Sequence, residues 1–74
     1  MLKKRHIENN ADKIWLLLNT GNEYSIDQIA NELQMKNDDI LIALGWLMAQ
    51  ENEVMLYENE GKMMVTLKSE TLYY

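Results

Sequence analysis

With 74 residues, 47% of them hydrophobic, the chain has material for one small core and none for a second domain. Twelve acidic residues against seven basic ones leave a net charge of −5, so the average field repels polyanions. No apolar run approaches the roughly 20 residues that cross a bilayer, and the absence of cysteine excludes disulfides, thiol nucleophiles and cysteine-based metal sites.

The opening Met1-Leu2-Lys3-Lys4-Arg5-His6 holds the one dense basic cluster, and residues 1–6 read as a flexible lead-in. Glu8, Asn9, Asn10 and Asp12 follow where a secretory signal needs an apolar segment, so export is not expected and a reducing cytoplasm is. Ala11, Ile14, Trp15 and Leu18 recur at offsets of three, four and seven and predict a first helix over 11–19, with a start as far back as Ile7 compatible with Glu8 near its positive end. Gly21 stands where a left-handed residue would end it. Glu23-Tyr24-Ser25 offers a brief extended segment, and Ser25 with Gln28 has the spacing of a capping box at the start of a second helix. Ile26, Ile29, Ala30 and Leu33 form the buried face of that helix, which ends near Leu33 or Gln34.

After the turn Gln34-Met35-Lys36, Asn37 is the expected N-cap of a third helix from Asp38 to Gln50 or Glu51, with Asp38 and Asp39 complementing its positive end. The period then changes. Val54-Met55-Leu56-Tyr57-Glu58 and Lys62-Met63-Met64-Val65-Thr66-Leu67 predict strands joined through Asn59-Glu60-Gly61. In the second strand Met63, Val65 and Leu67 alternate with Met64, Thr66 and Lys68, and Met64 is expected on the outer face. Residues 69–74 form a tail carrying Leu72, Tyr73 and Tyr74.

Helix, brief strand, helix, turn, helix and hairpin is the order of an α+β winged helix-turn-helix domain, three helices followed by a two-stranded wing, filling 1–74 as a single unit. Two segments make the likeness more specific. Asn10-Ala11-Asp12-Lys13-Ile14-Trp15-Leu16-Leu17-Leu18 and Ala43-Leu44-Gly45-Trp46-Leu47 resemble the signatures of a small family of stand-alone bacterial and archaeal winged helix-turn-helix proteins with a domain-of-unknown-function label (DUF2582-like). The resemblance runs from about Ile7 to Leu67; family members often carry glycine near the start of helix one, where this chain has Glu8 and Asp12. It implies a fold shared with transcription regulators and no established ligand or reaction.

Stepping at roughly 100° per residue, the third helix turns Ile40, Leu41, Leu44, Leu47 and Met48 toward the core and leaves Asp38, Asp39, Ile42, Gly45, Trp46 and Ala49 on the other side. A DNA-reading helix of this fold presents arginine, lysine, asparagine or glutamine there, whereas this one offers carboxylates and an indole. Ile42, Trp46 and Ala49 form a second apolar stripe, with Trp46 either folded over the body or turned to a partner. Leu16 and Leu17 extend the apolar face of helix one beyond what one core needs.

Catalysis has no support: His6 is the only histidine, and Gly21, Gly45 and Gly61 stand too far apart for a phosphate loop. The expectation is a protein with no metal, cofactor, membrane or small-molecule ligand. The first reading is a non-enzymatic protein-association module, including self-association as a homodimer, using Leu16, Leu17, Ile42, Trp46 and Ala49. The alternative is a transcription regulator that binds duplex DNA as a dimer through Lys3, Lys4, Arg5, Lys36 and Lys62.

Overall fold

The computed structural model describes residues 3–50 and 54–67, so the tail 69–74 and the expected helix end at Glu51 lie outside the described residues. In chain order the elements are α1 (Lys4–Leu18), β1 (Tyr24–Ser25), α2 (Ile26–Leu33), α3 (Asn37–Ala49), β2 (Val54–Asn59) and β3 (Lys62–Leu67). This is three helices with a hairpin wing, and the two-residue β1 adds a third strand to the sheet, in the order β1-β3-β2 with both pairings antiparallel.

Each boundary has a local cause. α1 begins three residues before the earliest expected start, so Lys4, Arg5 and His6 are helical and not part of a flexible lead-in. The run from Lys4 to Leu18 contains neither glycine nor proline to interrupt it. Its end follows the glycine: Gly21 has φ +93° and its N–H donates to the carbonyl of Leu18 at 3.1 Å. The capping box at α2 forms as expected, with Gln28 N donating to Ser25 Oγ at 3.1 Å and Ser25 N to Gln28 Oε1 at 2.8 Å. Gln34 closes α2 in the left-handed conformation, φ 55°.

At α3 the expected cap is corrected. Lys36 is the N-cap residue and makes no side-chain cap bond, while Asn37 is already helical. The Asn37 amide instead donates to Asp27 Oδ1 at 3.4 Å, tying the first turn of α3 to α2. The wing closes through Glu60 and Gly61, with φ 54° and 79°. Positive φ at both central residues is what a type I′ hairpin turn requires, and its twist matches that of the flanking strands.

One core joins the layers. Ile14, Leu18, Ile29, Ile40, Leu44 and Val65 are its largest fully enclosed side chains, joined by Ala11, Ile26, Ala43, Leu47 and Val54. Val65 belongs to the middle strand and pairs with Tyr24 on one side and Leu56 on the other, so its side chain points from the sheet into the helices. Met64, expected to be exposed, is half-buried because Ser25 and Tyr57 flank it across the outer face. Met63 faces the helices yet is exposed, since it lies next to the wing turn at the rim of the body.

Candidate interaction surface

The surface left free by α3 differs from the expected one. Ile40, Ala43, Leu44 and Leu47 face the core, while Leu41 and Met48, both placed inside by the sequence, are 51% and 47% exposed. The helix is apolar nearly all round, so hydrophobic spacing does not say which side turns inward. The small Ala43 decides it, rotating the core side toward α1, the helix with which α3 packs most extensively. Ile42, 44% exposed, lies with Gly45 and Ala49 on the outer side as expected. Leu41, Ile42, Gly45, Met48 and Ala49 therefore form one continuous apolar face on the helix that normally reads DNA in this fold. Asp38, one turn before Leu41, is the polar boundary at its leading end.

The remaining candidate residues distribute around this face. Trp46 sits at its edge, half-buried against the core, with the Lys4 ammonium 5.5 Å from its ring centroid. That separation is a cation–π contact, so the indole is covered partly from within the chain. Leu17 is half-buried and packs on the core, which removes most of its value as a contact residue. Leu16 is 67% exposed and sits roughly 200° around α1 from Ile14, on the side of that helix facing away from the core.

The cations fall into two groups. Lys3, Lys4 and Arg5 are exposed at the start of α1, with Lys4 beside the second half of α3. Lys36 precedes α3, and Lys62 at the wing turn lines a cleft of about 380 Å³ together with Ser25, Ile26, Asp27, Asn37, Leu41 and Met63. Lys36 and Lys62 thus both lie near the leading end of α3, with Asp27 on the same cleft as Lys62 and Asp38 and Asp39 in the helix's first turn. The cleft has no signature in the sequence, because its walls come from the starts of two helices and the tip of the wing.

A further polar link joins distant segments: Tyr57 Oη on β2 donates to Glu23 Oε1 in the loop before β1. This hydrogen bond to a carboxylate, with a smaller contribution from burial and from the negative charge itself, raises the Tyr57 phenol above its ordinary value. Among the described residues no group of three histidine, aspartate or glutamate side chains is placed to hold a metal ion, and no helix is long and apolar enough to cross a membrane.

Comparison with known proteins agrees with this architecture. Residues 1–67 match the family described as Winged helix-turn-helix domain (DUF2582). No curated protein matches the chain. Among solved structures, protein BT2368 from Bacteroides thetaiotaomicron, determined in solution by NMR, is similar with 29% identity and a TM-score of 0.75, over 89% of this chain and 79% of that one. HlyU from Vibrio cholerae, in its reduced form, is similar with 20% identity and a TM-score of 0.59, over 93% of this chain and 65% of its own. The transcriptional regulator HlyU from Vibrio vulnificus shows 24% identity and a TM-score of 0.59, over 96% and 67% of the two chains. At these identities the two HlyU structures share the fold.

The chain belongs to the winged helix-turn-helix domain (DUF2582) family.

Proposed function

We propose that this member of the family acts by protein association, including self-association, through the outward face of α3. The observation that carries the reading is the chemistry of that face: Leu41, Ile42, Gly45, Met48 and Ala49 offer no side-chain hydrogen bond to a base edge. Exposed apolar surface gathered on one helix is a common mark of an interface. Trp46 at the border and Leu16 on α1 are secondary contributors, and Leu17 contributes little. Sedimentation equilibrium over a range of concentrations tests this directly. The chain should associate reversibly, and Ile42→Glu should abolish association while leaving the far-ultraviolet circular dichroism unchanged. A wild-type chain that stays monomeric throughout refutes the reading.

A second reading, duplex DNA binding by a dimeric regulator, is favoured by the position of two lysines near the leading end of α3, Lys36 as its N-cap residue and Lys62 in the cleft that Asn37 also lines. The likeness in fold to a transcriptional regulator from Vibrio vulnificus supports this reading more than the first. Against it stand the apolar face and the carboxylates of Asp38 and Asp39 in the helix's first turn. Lys3 and Arg5 would add phosphate contacts from the start of α1, whereas Lys4 is engaged with Trp46. Titration of duplex DNA at rising salt decides: phosphate binding weakens steeply with salt and falls further in Lys36→Ala and Lys62→Ala. No binding at low salt removes this reading. A cytoplasmic location suits both.

A further inference from the structure

Among the described residues, nothing packed within one chain accounts for Gly45. It stands in the interior of α3, where glycine is the poorest choice after proline. Among the described residues, a Cβ built there meets nothing within 4 Å, and its φ is not among the positive ones. Alanine would fit the monomer and favour the helix. Yet Gly45 is the centre of the exposed apolar face, with Ile42 and Met48 three residues away on either side and Leu41 and Ala49 four residues away. These are the spacings that share one helix face.

We infer that this face takes the α3 of a second copy of the chain, the two helices lying antiparallel with their Gly45 residues opposed across a two-fold axis. The inference rests on the association reading and supplies its occupant and geometry. A two-fold interface must be self-complementary. With the axis at residue 45, Leu41 of one protomer opposes Ala49 of its partner, a large side chain against a small one, and Ile42 opposes Met48. A glycine at the crossing lets two backbones approach closely, the use that small residues serve where helices pack tightly.

Charge selects the direction. Asp38 lies seven residues before Gly45 on the same face. Parallel pairing would set the two Asp38 carboxylates side by side at the leading ends. Antiparallel pairing separates them by 14 residue steps, about 21 Å at 1.5 Å per residue, and aligns the helix dipoles favourably.

Two experiments test the geometry, and the cysteine-free chain gives the second no background. Gly45→Ala should raise the melting temperature of the monomer and weaken dimerisation at least tenfold, opposite effects from a single methyl group. Under oxidised glutathione, an equimolar mixture of Leu41→Cys and Ala49→Cys chains should form a disulfide-linked heterodimer. Neither variant alone should do so, because like positions would be eight residue steps, about 12 Å, apart and beyond the reach of a disulfide. A wild type that dimerises while Gly45→Ala leaves its affinity unchanged, or while the mixture crosslinks no better than the separate variants, overturns this pairing and leaves association standing. A wild type that never dimerises overturns both.

Discussion

Which side of α3 is inside decides where any interaction surface lies, and a pair of truncations measures it. Leu44 is 1% exposed and Met48 47%, although sequence spacing placed them together on the core side. Leu44→Ala removes a fully enclosed side chain from a close-packed site and should cost about 2–5 kcal/mol, transfer and cavity contributions together. A domain of this length has a total stability of about 4–11 kcal/mol, so the loss is a large share of the whole. Met48→Ala gives up a half-exposed side chain and gains helix propensity, and should cost about 1 kcal/mol or less. The same holds for Leu41→Ala, at 51% exposed. Urea unfolding followed by circular dichroism, at a protein concentration where sedimentation shows only monomer, separates fold stability from association. Since about 1 kcal/mol moves the midpoint of a domain this size by 4–8 °C, thermal melts give an independent reading. If Met48→Ala or Leu41→Ala proves as costly as Leu44→Ala, the face described as outward is packed inside, and the proposed surface does not exist.

Three further outcomes follow from the local geometry. Ser25→Ala leaves the N–H of Gln28 without its buried partner and should destabilise the fold by about 1 kcal/mol, read from the urea midpoint. Glu60→Asn places a residue that tolerates the left-handed conformation before Gly61 in the wing turn, and should stabilise by about 0.5–1 kcal/mol in the same assay. Because the folded Tyr57 phenol titrates above its unfolded value, its contact with Glu23 contributes fully below the ordinary phenol range and is lost as pH rises through the folded value. Phenolate absorbance, taken as the difference from Tyr57→Phe, should therefore show a titration that Glu23→Ala moves back toward lower pH; an unchanged midpoint would mean that the contact with Glu23 is not its cause.

The architecture was legible because its signals are local. Ser25 with Gln28, Gly21 and Gly61 each act within a few residues, and each does in the fold what its chemistry predicts. The candidate surface was legible only in part, because it depends on how α3 is rotated. Ile42 and Ala49 were placed outward correctly, but hydrophobic spacing cannot orient a helix that is apolar on nearly every side, so Leu41 and Met48 were placed inward and the buried Ala43 was not assigned a side. Asn37 has the chemistry of an N-cap, yet it serves Asp27, ten residues earlier. That pairing, like Lys4 with Trp46 and Glu23 with Tyr57, is a tertiary event with no fixed spacing to read.

The pairing of Tyr24 with Val65 also orders events during synthesis. The enclosed valine that seals the helices is supplied by the last strand, so the three helices emerging first from a ribosome have an open floor. They acquire a complete interior only when the wing arrives and zips onto the short segment between the first two helices. A nascent chain halted after α3 should accordingly remain sensitive to protease, and become resistant in one step once residues through Leu67 have cleared the exit tunnel.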